Sequence, residues 1–542
     1  MPAVNFSYND FLKVLGYNLQ KEGFLEKIPL IGTEIEKVEG DEISIEVFPN
    51  RPDLVSVEGI ARASRAFFGF ETGLKKYSSK KSDIVTTVDS SVSEVRPFIA
   101  TALIKNVTMS DELIASLMDL QEKLHFGIGR NRKKVAIGVH DFDKVEPPFT
   151  YKAVDPKTVK FVPLADTREM DLDEILQKHP KGINYAHLLQ GKKKYPLLID
   201  SQDNVLSFPP IINGALTEVT PFTKNIFIDV TGTDRNAVHT ALTIASLALV
   251  ERGGTLYTTT VKEGKSTFIY PELTPQKKIL SLKYTQSILG LKLFNREIEN
   301  SLQRMEYDTK IIDKEKIEVL IPPWRADILH EIDIVEDVAI GYGFDRFKED
   351  IPKALTYGKP LGRYEQYEKA RISMIGLGFN EVTTLALSNK EDEFAKLGMR
   401  EKKVVEIENP ISEEYTCLRV HLLPSLLKIC RENRHHPLPQ KIFEVNHVIN
   451  DDAKNEMHVA ALLVDAKANF TACRSIVEGF TKDLGMEISL ERENHPAFIQ
   501  GRCAAMLCGG KKIGVFGELH PSTILAFELE HPAIAFEINL DR

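Results

Sequence analysis

The stretch DEISIEVFPNRPDLVSVEGIARASRAFFGF, residues 41–70, changes its apolar spacing halfway along. Ile43, Ile45 and Val47 alternate with polar residues, which is the period of a half-buried strand. Two prolines in the next turn end the strand, and a helix is predicted to reach about Phe68. A strand and a helix that each bury one face must pack in layers. The same change of spacing recurs along the chain and predicts a multidomain α+β fold.

Two candidate caps and one candidate linker surround this helix. Asp53 and Ser56 both stand where an N-cap is expected, and the sequence leaves the choice between them open. Residues 75–91 are polar and rich in serine and lysine, which predicts a linker after the first domain.

The length of 542 residues suggests three or four domains. Breaks in the apolar pattern predict an N-terminal α/β domain over 1–85 and a mixed domain over 92–268. A small helix-rich module with a hairpin is predicted over 270–346, and its order of elements is typical of winged-helix-like nucleic-acid-binding modules. Strands and helices over 355–542 predict a last domain.

The composition indicates a globular protein of the cytoplasm. Hydrophobic residues make up 43% of the chain, but no run approaches the roughly 18 apolar residues that a membrane helix needs. The N-terminus lacks the basic and apolar regions of a secretion signal. None of the five cysteines forms a CxxC pair, which favours reduced thiols over a disulfide or zinc framework. They are Cys417, Cys430, Cys473, Cys503 and Cys508.

The net charge of −9 argues against a surface that binds nucleic acid everywhere. Local basic clusters remain candidates for RNA contact or for ordinary solvated surface: Arg130 with Arg132, Lys133 and Lys134, then residues 192–194, then residues 428–441. The chain lacks the GxxxxGK[ST], GxSxG and HExxH motifs, so these classes of nucleotide-binding, hydrolase and zinc sites are excluded.

The stretch PPWRADILHEIDIVEDVAIGYGFDRF, residues 322–347, gathers carboxylates along one predicted helix. Its apolar positions follow the spacing of a buried stripe. They are Ile328, Ile332, Val335, Ala339 and Tyr342. The acidic positions are Asp327, Asp333, Glu336 and Asp337.

Two interpretations of these carboxylates stay open from the residues alone. Asp327 suits an N-cap and the other three suit a solvated helix face. Alternatively they form a site for a hard cation such as Mg²⁺, which prefers oxygen ligands. One helix offers ligands from one side only, so water or another chain would complete the coordination.

A second group of polar residues stands beside apolar strands between positions 207 and 234. Such a composition favours a pocket that reads a polar group on an apolar ligand, although turn and cap chemistry is the alternative and accounts for Asp234. The group comprises Ser207, Asn213, Asp229, Thr231, Thr233 and Asp234. Farther along, Arg419 is predicted to pair with Glu413, Glu414 or Glu444, with an anion as the alternative partner.

Taken together, six stretches resemble one family, the β subunits of phenylalanyl-tRNA synthetase of the archaeal and eukaryotic type. They occur in family order and span nearly the whole chain. The stretches are EVFPNRPDLVSVEGIAR, KVAIGVHDFDKVEPPFTYK, LSFPPIING, NIFIDVTGTD, PPWRADILHEIDIVEDVAIGYGFD and NPISEEYTCLR.

The resemblance implies a partner subunit and assigns charging to that subunit. The chain is expected to join an α subunit in an α2β2 assembly that charges tRNA(Phe) with ATP as substrate, and the aminoacylation site is expected on α. RISMIGLGFNEVTT resembles the first motif of class II synthetases. No glycine-rich strand ending in an ATP-binding arginine follows, so the C-terminal domain is expected to be class II-like and catalytically degenerate.

The resemblance also implies two sites. The family's Mg²⁺ site, shared with α, maps onto Asp327, Asp333, Glu336 and Asp337. The domain over 92–268 resembles the editing domain that hydrolyses mischarged Tyr-tRNA(Phe), with a positioned water as the expected nucleophile. Its pocket maps onto Leu198, Ser207, Asn213, Asp229 and Thr231. A tRNA-binding scaffold without hydrolysis and a self-sufficient class II ligase are the alternatives.

Overall fold

The computed structural model describes residues 2–352 and 356–541. Met1, Leu355 and Arg542, which bound predicted domains, lie outside these ranges. The chain forms two compact units, residues 1–350 and residues 351–542. The first three predicted domains therefore belong to one unit, and one continuous hydrophobic core runs from Val4 to Ile340.

The N-terminal segment packs helices against the antiparallel sheet β1-β3-β2, so it is α+β, and the predicted α/β class is wrong. Ser56 caps α3 by accepting the amide of Gly59 at 3.2 Å. Asp53 is buried in ion pairs instead. The elements are β1 Ala3–Ser7, α1 Tyr8–Leu15, α2 Lys21–Lys27, β2 Thr33–Glu39, β3 Glu42–Val47 and α3 Val57–Phe67.

The second segment is a large sheet in the order β12-β11-β10-β7-β4-β14-β5-β13-β6, with β15 on β14. Its first elements are β4 Lys80–Val88, β5 Phe98–Lys105, α4 Asp111–Phe126, β6 Val135–Asp141, β7 Phe149–Val154, β8 Lys160–Phe161, β9 Met170–Asp171, α5 Leu172–Lys178 and α6 Pro180–Tyr185. The remaining elements are β10 Tyr195–Ile199, β11 Val205–Phe208, β12 Ile212–Asn213, β13 Ile226–Gly232, α7 Arg235–Glu251, β14 Thr255–Glu263 and β15 Ser266–Tyr270.

The linker predicted over 75–91 is wrong, because β4 lies inside it and pairs in parallel with β7 and β14. Ile84 and Thr86 alternate into the core there, and the surrounding serines and lysines hide this period in the sequence. The cap interpretation of Asp234 is confirmed, because Asp234 accepts a backbone amide at the start of α7, as Ser110 does at the start of α4.

The third segment has the sheet β16-β18-β17, of which β16 was not predicted. The helix α10 begins at Glu331, so Asp327 lies four residues before it, and the N-cap interpretation of Asp327 is wrong. Ile328 precedes the helix and Ile332 is 39% exposed, which shortens the predicted stripe. The elements are β16 Gln276–Ser281, α8 Leu282–Leu289, α9 Asn295–Arg304, β17 Asp308–Ile311, β18 Lys316–Ile321 and α10 Glu331–Tyr342.

The second unit is built on the sheet β19-β22-β23-β27-β26-β25-β24, in which only the pairing of β19 with β22 is parallel among the described strands. Alternate residues of β23 enter two cores, one with α11 and α14 and one with α13 and α15. The elements are α11 Gly362–Gly376, β19 Asn380–Glu381, β20 Leu387–Ser388, α12 Lys390–Glu393, β21 Cys417–Leu418, α13 Leu423–Glu432, β22 Gln440–Ile449, β23 Asn455–Val464, α14 Phe470–Asp483, β24 Ile488–Arg492, β25 Phe498–Cys508, β26 Lys511–Leu519, α15 Pro521–Ala526 and β27 Ala533–Asn539.

Three further predictions concern single features. Arg419 pairs with Glu444 at 3.1 Å with both side chains buried, so the structural ion pair is confirmed. All five cysteines lie in the described ranges, and each is a free thiol. Within the described residues, no helix is both long enough and apolar enough to cross a membrane.

Candidate functional site

Four of the five residues predicted for a pocket line a single cavity of about 430 Å³ in the first unit: Ser207, Asn213, Asp229 and Thr231. The fifth, Leu198, lies in the hydrophobic core behind the cavity wall and pairs with Ser207 across β10 and β11. It therefore supports the strand that carries Ser207.

The strands explain why these residues meet. Asp229 and Thr231 are two residues apart on β13, so their side chains point to the same face. Ser207 and Asn213 lie on β11 and β12, at the opposite end of the sheet from β6. The two ends come together at the cavity, where the amide of Asn213 donates to the carbonyl of Val139 on β6 at 3.3 Å.

The carboxylate of Asp229 is the most buried charge in the cavity wall. Its Oδ1 lies 2.6 Å from Nε2 of His140 and 3.3 Å from the hydroxyl of Ser207, which donates to it. Asp229 and His140 are 1% and 0% exposed. In the described chain Oδ2 has no hydrogen-bond partner, so Asp229 retains one acceptor for a ligand.

His140 is held from its other side as well. Its Nδ1 lies 2.7 Å from the hydroxyl of Thr217, and Thr217 in turn donates to the carbonyl of Gly214 at 3.3 Å. The imidazole is thus held between Thr217, in the turn after β12, and Asp229 on β13, and the orientation of Asp229 is fixed with it.

Two arginines flank the cavity. Arg96 donates to the hydroxyl and to the carbonyl oxygen of Thr231 from behind the wall. Arg132 lines the cavity, donates to the carbonyl of Ile211 at 2.9 Å and pairs with Glu122 at 2.7 Å. Because Arg132 is buried and its guanidinium is bonded inside the fold, it is not a candidate for RNA contact.

The acidic stretch of the third segment is organised around Arg325, which is buried. Arg325 pairs with both oxygens of Asp327, at 2.8 and 2.7 Å, and with one oxygen of Asp337 at 2.7 Å. Asp337 also accepts the phenolic hydrogen of Tyr307. One oxygen of Asp333 accepts the amides of Leu329 and His330 and so closes the start of α10.

Glu336 differs from these three carboxylates, since no hydrogen bond or ion pair holds it in the described chain. Glu336 is exposed at the surface, but its neighbours partly desolvate it and so raise its pKa, and the charges of Asp337, Asp327 and Asp333 raise it further. The four carboxylates therefore share one neighbourhood and repel each other there. Among the residues that the structure describes, no partner is found for the oxygens of Glu336 or for the second oxygens of Asp333 and Asp337.

The free oxygens of Glu336, Asp333 and Asp337 could coordinate a hard cation, but only on one side of it. Among the described residues, no group of three or more His, Cys, Asp or Glu side chains is arranged to hold a metal by itself. Oxygen donors and an excess of negative charge suit Mg²⁺. Asp327 fits least well as a direct ligand, because Arg325 already occupies both of its oxygens.

Sequence reasoning missed the residues that orient the pocket: Arg96, Gly138, His140 and Thr217. His140 and Gly138 lie in the segment GVHD, within one of the six stretches that carry the family resemblance. A histidine within an otherwise apolar strand is the available clue, because a buried imidazole needs hydrogen-bond partners. Arg96 and Thr217 lie outside recognisable motifs and offer no such clue.

Comparison with known proteins covers nearly the whole chain. Residues 95–259 match the family model described as B3/4 domain, and residues 279–344 match tRNA synthetase B5 domain. Residues 348–540 match phenylalanyl tRNA synthetase beta chain CLM domain.

Relatives and one solved structure agree with these models. The phenylalanine–tRNA ligase beta subunit of Methanosarcina barkeri is 45% identical over 100% of this chain and 99% of its own. That of Archaeoglobus fulgidus is 44% identical over 100% and 98%. The crystal structure of an N-terminal fragment of the phenylalanyl-tRNA synthetase beta subunit from Pyrococcus horikoshii is 39% identical. It covers 63% of this chain and 100% of the fragment, with a TM-score of 0.61. The chain therefore belongs to the family of phenylalanine–tRNA ligase β subunits, which are subunits of a heteromeric aminoacyl-tRNA synthetase.

Proposed function

We propose that the cavity between β13 and the β11–β12 hairpin hydrolyses the ester bond of Tyr-tRNA(Phe), in which tyrosine has been attached to tRNA(Phe) by mistake. The observation that carries this proposal is the convergence of Ser207, Asn213, Asp229 and Thr231 on one cavity with apolar walls. A ligase for phenylalanine needs such a second site, because an apolar pocket rejects an added hydroxyl only by about 10².

The free oxygen of Asp229 supplies the selectivity. A tyrosyl side chain places its hydroxyl where it donates to Oδ2, whereas a phenylalanyl side chain leaves that buried acceptor unpaired. His140 and Ser207 already occupy Oδ1 and hold the carboxylate in place. The pocket thus accepts tyrosine and disfavours phenylalanine, which is the opposite preference from the charging site.

Hydrolysis here is assigned to a bound water. Ser207 donates to Asp229, and His140 bonds Asp229 and Thr217, so neither arrangement is a serine activated by an imidazole. The cavity walls orient the ester and exclude bulk water. Orientation of the ester and the attacking water accounts for the expected rate gain.

The test uses the chain purified with its α subunit and preformed Tyr-tRNA(Phe). The parental enzyme is expected to release tyrosine, and Asp229→Ala is expected to slow release by about 10², the scale of a lost oriented contact. Phe-tRNA(Phe) is the matched substrate and is expected to survive with the parental enzyme. Tyr-tRNA(Phe) that survives the parental enzyme would favour the scaffold role without hydrolysis.

We further propose that the chain pairs with an α subunit as α2β2, that ATP-dependent charging of tRNA(Phe) takes place on α, and that the C-terminal unit is a non-catalytic class II-like domain. The Mg²⁺ site is assigned to the boundary with α, held on this side by Glu336 with Asp333 and Asp337, while Asp327 acts through Arg325. Bound Mg²⁺ supplies the positive charge that relieves the repulsion around Glu336.

Titration of the assembled enzyme with Mg²⁺ tests this assignment. Glu336→Gln is the cleaner variant, because Asp333 also caps α10 and its loss costs helix stability. We expect Glu336→Gln to remove one Mg²⁺ site, whereas Asp345→Asn, an exposed carboxylate beyond the helix, is expected to retain it. Parental Mg²⁺ occupancy in Glu336→Gln would overturn the assignment and would leave Asp333 and Asp337 with only their contacts inside the fold.

A further inference from the structure

A buried arginine stands behind the wall of the cavity that carries Thr231. Arg96 is 3% exposed and precedes β5, the strand that pairs with β13. Its Nε donates to Oγ1 of Thr231 at 2.9 Å, and a terminal nitrogen donates to the carbonyl oxygen of Thr231 at 2.8 Å. The hydroxyl and the carbonyl of Thr231 are therefore both held by one guanidinium.

The charge of Arg96 is not neutralised by an ion pair. Within residues 2–352 and 356–541, no carboxylate lies at ion-pair distance from it, and its remaining contact is the carbonyl of Lys133 at 3.3 Å. Burial lowers the pKa of Arg96 to about 10, so the guanidinium stays charged at neutral pH. The charge of Asp229, two residues from Thr231, raises the pKa of Arg96 and so offsets part of this burial cost. A buried cation without an ion pair is costly to the fold, and this one lies directly against the hydroxyl of Thr231.

The contact with Arg96 also determines where the hydroxyl hydrogen of Thr231 can go. A threonine hydroxyl has one hydrogen to donate. Its oxygen already accepts from Arg96, and in the described chain it has no other hydrogen-bond partner. Thr231 lines the cavity but is fully buried, so its hydrogen is available only to a group bound directly against it. The adjacent positive charge strengthens the hydroxyl as a donor.

We propose that Arg96 is a positioning residue for ester hydrolysis, and that it polarises the hydroxyl of Thr231 toward the carbonyl oxygen of the bound aminoacyl ester. This inference rests on the proposed function of the cavity. The oxygen of water forms a bond to the ester carbon, and the bond from that carbon to the ribose oxygen breaks. The ribose oxygen takes one proton of the water, and the amino acid leaves as a carboxylate with release of the other proton.

Thr231 acts while negative charge builds on the carbonyl oxygen. A preoriented donor at that position stabilises the transition state more than the ground state, so its loss lowers kcat more than it raises KM. Arg96 does not touch the ester, and its effect passes through Thr231. A variant at Arg96 is therefore expected to lose its effect once the hydroxyl of Thr231 is absent.

A double-mutant cycle on the assembled enzyme tests this dependence. Arg96→Gln removes the charge and Thr231→Val removes the hydroxyl at nearly constant volume. We expect each to lower kcat for Tyr-tRNA(Phe) hydrolysis by about 10², with KM within a few-fold, as for a lost oxyanion donor. The double variant is expected to be no slower than Thr231→Val alone.

Three controls distinguish a specific effect on the rate of hydrolysis from a general loss of folding. Arg65 is another buried arginine of the same unit, paired with Glu251 far along the chain, and Arg65→Gln is expected to cost stability while leaving kcat within a few-fold. Thermal melting of every variant separates loss of folding from loss of rate. If Arg96→Gln does not fold, Arg96→Lys replaces it, with a smaller expected loss of about tenfold in kcat, since the charge is kept but the forked contact is not.

The outcomes separate this inference from the function on which it rests. If the parental enzyme leaves Tyr-tRNA(Phe) intact, the proposed function fails and this inference fails with it. If the parental enzyme clears Tyr-tRNA(Phe) and the Arg96 variants clear it at the same rate, only the role of Arg96 is overturned. Rate losses at Arg96 and Thr231 that multiply in the double variant would likewise overturn it.

Discussion

Gly138 lies opposite Asp229 where β6 pairs with β13, and the geometry there leaves no room for a side chain. A methyl group on Gly138 would stand 2.2 Å from Oδ1 of Asp229 and 2.7 Å from Nε2 of His140. Both distances are far inside van der Waals contact, so either the carboxylate or the imidazole would have to move. The glycine is what allows the two side chains to meet.

Gly138→Ala is therefore expected to break the contact between Asp229 and His140. Since displacement of a site residue by about 1 Å costs on the order of 10² in rate, we expect a loss of that order in Tyr-tRNA(Phe) hydrolysis. Charging of tRNA(Phe) by the same preparation is expected to change little. Single-turnover release of tyrosine measures the effect.

Gly23 provides the matched control, because a methyl group there meets nothing within 4 Å. Gly23→Ala is expected to hydrolyse Tyr-tRNA(Phe) like the parent. Parental hydrolysis by Gly138→Ala as well would show that the carboxylate of Asp229 does not need its observed position.

At the scale of residues, the sequence places the side chains of Asp229 and Thr231 on one strand face, but it does not show the residues that hold them. Asp229 and Thr231 are two residues apart, and that spacing is visible in the sequence. The bond from Asp229 to His140 joins positions 89 residues apart, and the bond from His140 to Thr217 joins positions 77 apart. Pairings of such separation depend on strand order, which local patterns do not contain.

At the scale of elements, helix α3 shows how charged residues are used inside the first unit. Every residue of α3 is buried, including Glu58, Arg62 and Arg65. Arg62 pairs with Asp53 at 2.8 Å and with Glu306 of the third segment at 2.9 Å. The sequence predicted this helix but not its complete burial, because the partners of its charged residues come from distant segments.

Asp53 gives this buried network a pH dependence. Burial alone would raise the pKa of Asp53, but Arg51, Arg62 and Arg325 lower it to about 2. A lowered pKa means that the ionised group stabilises the folded state above its ordinary pKa near 4 and that this contribution is lost as pH falls toward 2. The contribution is about 2 kcal/mol in the free energy of unfolding.

We expect Asp53→Asn to destabilise the protein at pH 7 by about 3 kcal/mol, because it leaves buried arginines without their carboxylate. The gap from the parent is expected to shrink as the pH falls from about 4 toward 2, since the parent then loses the same charge. Urea unfolding at pH 7, 4 and 3 measures the gap. Glu34→Gln, at an exposed carboxylate of the N-terminal segment, is expected to show no such convergence, and a constant gap for Asp53→Asn would contradict the assignment.

At the scale of the whole molecule, the first unit joins three segments that the sequence separated. Arg62 of the first segment contacts Glu306 and stacks on Trp324 of the third, with its guanidinium carbon 4.6 Å from the ring centre. The amide of Gly73 donates to the carbonyl of Gln303 at 2.7 Å. The domain limits predicted near residues 85 and 268 therefore mark changes of motif inside one core, whereas the limit predicted between 346 and 355 coincides with the boundary between the two units.

This organisation predicts which fragments fold. A fragment of residues 1–350 keeps the whole core and the buried network, and we expect it to unfold in one cooperative thermal transition. The N-terminal fragment from Pyrococcus horikoshii, whose crystal structure is matched over its full length, is consistent with this expectation. Circular dichroism melts and tyrosine fluorescence measure the transition.

A fragment of residues 1–268, cut where the sequence placed a domain boundary, is the contrasting case. It removes Glu306 and Trp324, so Arg62 keeps Asp53 but loses its second carboxylate and its aromatic partner. Loss of one partner of a buried charge costs about 3–5 kcal/mol, a large part of the stability of a domain, and apolar surface of the shared core becomes exposed as well. We therefore expect the 1–268 fragment to melt far below the 1–350 fragment or to aggregate. Equal melting temperatures would mean that the boundary near 268 separates independent domains and that the buried contacts of Arg62 contribute little to stability.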